Sequence, residues 1–404
     1  MEIYIPSPVN HILKVLNANG HEAFIVGGCV RDSLMGRVPY DWDIATSALP
    51  AEIKSCFPRT HDTGIEHGTV TVVYKGANYE VTTYRVDGEY KDGRRPESVS
   101  FTANLREDLA RRDFTINAMA WRPGEGLTDP FGGMDDIKSG VIRCVGDPDL
   151  RFGEDALRMM RAVRFAGVLD FDIGMETFSS IKRNAAGLKR ISAERVRDEL
   201  TKLLLSPHPE KITLLWESGL LPEGWPLPMK PTEGEVYGSV KYLTACPKKT
   251  ALAYAALFFN REPENALQAM NALRFDNSTC RDVYRLIKWA KYPVPNQDYA
   301  VRKFLSLSGR AYFHDIMTMK ELMGTSDCDI LPLLAERYEK IMEGGDCLDI
   351  SGLRINGDDL LAMGFSGKQI GDTLTRLLDL ILREPSLNNK ETLKRLADVS
   401  TCNF

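Results

Sequence analysis

The chain has 404 residues, 43% of them hydrophobic and 26% charged, with a formal net charge of −5. That length exceeds one ordinary core and predicts two or more domains of a soluble globular protein. No apolar run nears the ~20 residues of a membrane span, and the negative balance leaves nucleic-acid contact to local basic patches. Eight scattered cysteines without C-x-x-C or zinc spacing, and no signal peptide at Met1–Asn10, lead us to expect a cytoplasmic protein with reduced thiols.

Ser7 to Asn19 has apolar residues at Val9, Ile12, Leu13, Val15 and Leu16, a helical spacing ended by Gly20. Phe24-Ile25-Val26 is a short apolar run that Gly27-Gly28 breaks, and Cys29 to Met35 reads as a short helix closed by Gly36. A glycine turn feeding a helix start presents unpaired N–H groups to an anion, with phosphate the usual guest. Asp41-Trp42-Asp43-Ile44-Ala45 follows. As a strand, its period of two puts Asp41 and Asp43 on one face, where paired carboxylates bridge two Mg²⁺ ions for in-line attack on phosphate. Taken alone, a Gly-Gly turn is usually only a tight turn and Asp-x-Asp a solvated strand end. Thirteen residues separate Gly28 from Asp41, and the tandem points to nucleotidyl transfer. A sugar-nucleotide glycosyltransferase is the alternative reading of Asp-x-Asp.

The stretch GGCVRDSLMGRVPYDWDIAT, residues 27–46, resembles the first motif of the tRNA nucleotidyltransferases in the DNA polymerase β superfamily. Beyond it, Pro50 suits the first turn of a helix over Ala51 to Phe57. Gly68 to Tyr74 and Tyr79 to Tyr84 are rich in β-branched and aromatic residues and predict a hairpin around Gly76-Ala77-Asn78. Glu80 then lies on a strand; it is an ordinary exposed glutamate or, as the resemblance implies, a third carboxylate of the metal site. Arg85 to Pro96 is polar, charged and glycine-containing and predicts a mobile loop. Arg111 to Ala120, RRDFTINAMA, resembles the family's second motif. An arginine pair is usually a solvated patch, but beside a triphosphate Arg112 would clamp phosphate oxygens. Asp129-Pro130-Phe131-Gly132-Gly133 and Val141 to Val145 resemble the third motif, a hinge.

From Asp147-Pro148 the pattern turns helical. On a helical wheel of Glu154 to Phe165, Asp155, Arg158, Arg161 and Arg164 wind along one half, opposite Ala156, Met159, Met160 and Val163. Composition alone makes this a helix with a basic solvent face. It also resembles the class II Glu-Asp-x-x-Arg motif, which implies that Asp155 and Arg158 template the incoming base, with Arg161 and Arg164 meeting phosphate. Ser192 caps a helix in ISAERVRDEL, which resembles the neck motif. His314-Asp315 lacks the further histidines of a phosphohydrolase site and reads as an incidental pair. Gly364 to Gly367 reads as a helix–helix turn, with an RNA phosphate as the other reading.

The resemblance covers the first half strongly, and the helical remainder in outline. It implies an α+β head with a mixed sheet of the polymerase β-like nucleotidyltransferase fold, then an all-helical neck, body and tail. The expected segments are a catalytic head (1–147), a neck carrying the template (148–205), a body (206–295) and a tRNA-binding tail (296–404). The implied activity is class II addition of C, C and A to a tRNA 3′ end from CTP and ATP. Asp41 and Asp43 would hold two Mg²⁺, with Glu80 beside them; Gly28, Arg31 and Arg112 would hold the triphosphate. CC-adding relatives lack most of the 85–96 loop, and poly(A) polymerases carry a Gly-Arg-Arg-Phe-like element where this chain has residues 64–70. Terminal-A addition and a catalytically silent RNA-binding relative are the other readings, and the oligomeric state is open.

Overall fold

Ala23 to Val26 are all buried because strand β1 (Ala23–Val26) has a core on each face. Ala23 and Ile25 join a cluster with Val9, Ile12, Leu13 and Leu16 of helix α1 (Ser7–Ala18), while Phe24 and Val26 join a second with Tyr84, Leu109, Ala120 and Val145. This period-two division turns a continuous apolar run into a central strand. The computed structural model describes residues 2–88 and 98–398. It divides into two units, residues 1–244 with 269–275, and residues 245–268 with 276–404.

In the first unit, β1 leads into α2 (Gly28–Leu34), β2 (Ile44–Thr46), α3 (Pro50–Cys56), β3 (Thr60–Gly64), β4 (Thr69–Tyr74) and β5 (Ala77–Thr83). A small ribbon of β6 (Arg85–Asp87) and β7 (Val99–Phe101) follows, then α4 (Leu105–Ala110), β8 (Ala120–Arg122) and β9 (Gly126–Thr128). The seven-stranded sheet runs β3-β4-β5-β2-β1-β8-β9, antiparallel except where β2 lies parallel to β5, which makes it the expected mixed sheet. Helices then dominate: α5 (Gly133–Ser139), α6 (Pro148–Glu154), α7 (Leu157–Leu169), α8 (Met175–Asn184) and α9 (Ala193–Leu204), with only the short pair Val141–Ile142 and Asp172–Ile173 in extended form.

Five expectations are corrected. Asp41 and Asp43 are not on a strand: pairing of β2 with β1 ends at Ile44 opposite Ile25, because β1 turns away at Gly27. One bond, from Val26 N–H to the Asp43 carbonyl at 3.0 Å, extends past it. The β4–β5 turn is Lys75-Gly76, both at positive φ (50° and 80°), which suits a tight two-residue hairpin. Arg85 to Asp87 belong to the ribbon, while 89–96 of the expected mobile loop fall outside the described residues. The helix expected over Glu154 to Phe165 is interrupted at Asp155, which is extended (φ −143°, ψ 104°) and accepts from Leu157 N–H at 3.0 Å. Ser192 precedes α9 without a side-chain capping bond.

The second unit is helical throughout its described residues. Fully buried Lys320 donates to the Ala290 and Tyr292 carbonyls and to Asp327, which also accepts from Val294 N–H, so the Pro293–Pro295 break is pinned. Asp315 pairs with Lys249 at 2.7 Å and His314 packs against Phe313 and Tyr338, as expected of an incidental pair. Gly364 and Gly367, at φ 95° and 52°, make the turn between helices Gly357–Ala362 and Lys368–Arg383.

Candidate active site

Gly27 closes β1 at φ 77° and ψ −131°, a backbone state that side-chain-bearing residues avoid. A Cβ there would stand 2.9 Å from Arg112 Nη1 and 4.0 Å from Asp43 Oδ2. Turn, guanidinium and carboxylate therefore meet at one point. From it opens a cleft of roughly 490 Å³, with Gly27, Gly28 and Asp43 at one end, Asp155 and Leu157 at another, and seven arginines between.

Each arginine is oriented by a carboxylate. Arg31 pairs with Asp32 at 2.8 Å, and Arg111 and Arg112 with Asp108 at 2.7 and 3.3 Å. Arg158 pairs with Glu154 at 2.6 Å, Arg161 with Asp113 at 2.5 Å, Arg164 with Glu199 at 2.5 Å and Arg195 with Asp155 at 2.6 Å. Beneath them Asp113 also accepts from Asn117 Nδ2 at 3.1 Å, and Asn117 Oδ1 accepts from Arg31. This buried chain ties Arg161 to Arg31. The Phe165 ring supports both, with guanidinium carbons of Arg164, Arg31 and Arg161 at 3.9, 5.1 and 5.5 Å from its centroid. An aromatic face attracts each cation and holds like charges apart. Arg112 Nε is buried and has no hydrogen-bond partner among the described residues.

The carboxylates are tuned in opposite directions. Burial would raise Asp113, but Arg161 and then the Asn117 bond outweigh it and bring it down to about 2. Asp108 is likewise held below the usual range, burial being outweighed by Arg111 and Arg112. Asp43 is pushed up, first by burial and also by Asp41, against the opposing pull of Arg112. The Asp43 residue is exposed to the cleft, yet protein crowds its carboxyl enough to thin the water around it. Cys29, behind it, is pushed up to about 12 by burial and then by Asp43 and stays a neutral thiol.

A second cleft of roughly 620 Å³ adjoins this end, lined among others by Asp41, Trp42, Asp43, Thr71, Tyr79 and Glu80, and, among the described residues, by no arginine or lysine. Asp43 lines both clefts. Among the described residues no three His, Cys, Asp or Glu side chains gather into a set that holds a metal alone. Magnesium asks for less, one or two carboxylates completed by water and substrate phosphate. Asp41 and Asp43 fit that demand: two oxygen donors whose mutual repulsion a divalent cation relieves.

Of the expected site residues, Gly28, Arg31, Asp43, Arg112, Asp155, Arg158, Arg161 and Arg164 line the arginine cleft, while Asp41 and Glu80 line only the second. The reading of 158, 161 and 164 as a solvent face is corrected: Arg158 is buried and all three turn into the cleft. Asp113, Asn117, Phe165 and Arg195 went unread. Asp113 and Asn117 stand four apart within RRDFTINAMA, a local signal. Arg195 stands in ISAERVRDEL, which reads only as a neck motif, and its partner is forty residues away.

Residues 23–143 match the sequence model of a family described as "Poly A polymerase head domain", and 170–226 match "Probable RNA and SrmB- binding site of polymerase A". A CCA-adding enzyme of Geobacillus sp. (strain WCH70) is 50% identical over 92% of this chain and 90% of its own length. One from Geobacillus thermodenitrificans (strain NG80-2) is 54% identical over 52% of each, so that match spans about half the relative. The crystal structure of the Bacillus stearothermophilus CCA-adding enzyme in complex with CTP superimposes with a TM-score of 0.82 at 32% identity, covering 99% of this chain and 100% of that one.

Proposed function

This chain belongs to the CCA-adding enzymes, and from that premise we propose how its two clefts divide the work of adding C, C and A to a tRNA 3′ end. The reaction is template-independent transfer of nucleotidyl groups from CTP and ATP, releasing pyrophosphate. The arginine cleft takes the incoming nucleotide. Its triphosphate meets the Gly28 backbone, Arg31 and Arg112, with Arg161 and Arg164 further along; bidentate guanidinium donors match phosphate oxygens. Asp155 and Arg158 read the base. A carboxylate accepts from the exocyclic amine of cytosine or adenine, which UTP and GTP lack at the matching edge.

Divalent metal use is the family's habit, and here Asp41 and Asp43 would hold two Mg²⁺, with Glu80 in the same cleft. Bound there, the ions would activate the terminal ribose hydroxyl and neutralise the departing pyrophosphate. The protein's own part is positioning: the paired arginines arrive already oriented, so little ordering remains to be done on binding. The observation that carries this reading is Asp43 standing on both clefts, one lined with arginine and the other, among the described residues, without it, as a group between triphosphate and acceptor must. We assign 1–147 as the catalytic head, 148–205 as the template-bearing neck, 206–295 as the body and 296–404 as the tRNA-binding tail. Among the described residues no helix is long and apolar enough to cross a membrane, and a cytoplasmic place of action suits the substrates.

The test incubates the purified protein with tRNA ending at the discriminator base, and with tRNA ending in CC, supplying each labelled nucleotide in turn. We expect CTP to enter twice and ATP once, and Asp41→Ala or Asp43→Ala to lower single-turnover incorporation far more than tenfold, ~1.4 kcal/mol. Incorporation of A alone would reduce the activity to terminal-A addition. UTP entering as readily as CTP, or no incorporation, would sink the reading.

A further inference from the structure

The corner that reads the base contains a group beyond Asp155 and Arg158. Arg195 Nη2 donates to Asp155 Oδ2 at 2.6 Å and its Nη1 donates to Oδ1 at 3.2 Å. Oδ1 also accepts from Leu157 N–H at 3.0 Å. A carboxylate has about four lone-pair positions, and three of these are filled, two on Oδ1 and one on Oδ2. One acceptor position remains, on Oδ2. Arg158 is restrained in the same way: Nη1 donates to Glu154 at 2.6 Å and to the Arg151 carbonyl at 3.4 Å, and Nη2 to the Arg111 carbonyl at 3.0 Å.

The helix behind the clamp is built for it. In α9, Val196, Leu200, Leu203 and Leu204 are buried, so the apolar stripe fixes the rotation of the helix. Arg195 and Glu199 are then one turn apart on a shared face, where they grip Asp155 and Arg164. The charge order on α9, plus then minus, complements minus then plus across the cleft. Asp155, extended between α6 and α7, is held from the chain side by Leu157 N–H, and the guanidinium fork supplies the restraint from the other side.

We propose that Arg195 is a positioning residue for base selection: it holds the Asp155 carboxylate in one orientation, so that a single oxygen lone pair faces the exocyclic amine of the incoming base. The inference rests on the assignment of Asp155 as base reader. An acceptor pinned in this way offers only a lone pair to the carbonyl that UTP presents at the same edge. Released, it can swing aside, so that the amine of CTP loses a fixed partner and the carbonyl of UTP no longer faces a fixed acceptor, and both changes erode the preference for CTP. Lysine keeps the charge at 195 but cannot make both bonds of the fork.

The experiment measures kcat and KM for CTP and for UTP on tRNA ending at the discriminator base, with wild type, Arg195→Lys, Arg195→Gln and Asp155→Ala, alongside thermal unfolding and tRNA binding. We expect Arg195→Lys to fold and bind tRNA like wild type while its CTP-over-UTP preference drops roughly tenfold, since small misplacements of a reading group are amplified in rate. Arg195→Gln should drop it further. A preference unchanged in Arg195→Lys, with Asp155→Ala losing it, overturns the positioning role and leaves Asp155 as reader; Arg195 would then be a tie between α9 and the α6–α7 junction, seen only in the melting curve. A preference unchanged in Asp155→Ala overturns the base-reading assignment, and this inference with it.

Discussion

Asp113 makes a sharper probe of the cleft than any arginine, because it is buried and yet bound to two groups that line it. Asp113→Asn keeps the size of the side chain and leaves Asn117 an acceptor, but removes the charge facing Arg161. Holding the carboxyl at about 2 against an ordinary 3.8 corresponds to about 2 kcal/mol of stability at neutral pH, at roughly 1.4 kcal/mol per factor of ten. The sign follows from the direction of the shift. A lowered carboxylate contributes fully above its unfolded value and loses that contribution as pH falls from near 3.8 through about 2. From about pH 5.5 to about pH 8 the difference between variant and wild type should therefore be constant. Urea unfolding followed by fluorescence checks it: a loss of about 2 kcal/mol, rising toward the ~3–5 kcal/mol of a broken buried pair if Arg161 finds no substitute. CTP binding should weaken as well, since the tether from Arg161 to Arg31 runs through this residue. A loss below about 0.5 kcal/mol, or one that changes steeply between those pH values, would refute the buried-pair reasoning.

Two further outcomes follow from the other end of the cleft. Asp43 is raised, so its ionisation weakens the metal-free protein: its contribution is full at low pH and lost as pH rises through the elevated value. Asp43→Asn should accordingly melt no lower than wild type at neutral pH without metal, and should lack the upward shift expected of wild type with Mg²⁺; a clear drop in melting temperature without metal would contradict this. Gly27→Ala forces a Cβ against Arg112 at 2.9 Å in a backbone state reserved for glycine, which should cost about 1–3 kcal/mol. Incorporation should fall at least about tenfold, and a variant as stable and active as wild type would show the turn to be permissive.

Where the sequence was readable, the determinant was local. Gly27-Gly28 had to turn, and the helix after it, expected from Cys29, starts one residue earlier at Gly28. The strands β4 and β5 follow their β-branched runs. Several of the failures come from contacts between distant residues. Nothing in EDALRMMRAVRF breaks a helix; the break is made by Asp155 turning its carboxylate to Leu157 N–H and to Arg195 forty residues on. The Asp-x-Asp pair looked like a strand because its neighbours Ile44 and Ala45 are one, but β1 ends at Val26 and leaves Asp41 nothing to pair with. Solvent exposure of the arginines was misjudged for the same reason: their partners Asp113 and Glu199 come from other elements.

The pairing of all seven cleft arginines bears on how selectivity arises. A chain of net charge −5, with each cleft guanidinium already facing a carboxylate, does not draw nucleotides in by a long-range field; it offers oriented donors at short range, with metal-bound charge completing the match. On the proposed assignment the phosphate contacts are identical for CTP, ATP, UTP and GTP. They bind every nucleotide equally, in ground state and transition state alike, and so contribute nothing to choosing among them. Discrimination must come from the difference in free energy at the base, and on the present assignment one acceptor on Asp155 and the free donors of Arg158 supply it. A buried acceptor that meets a carbonyl instead of an amine costs about 1–3 kcal/mol, roughly five- to a hundredfold. That range is reached only if the acceptor cannot swing aside. The rigidity of the Asp155 corner, and not the strength of the phosphate clamp, therefore sets how faithfully C and A are chosen.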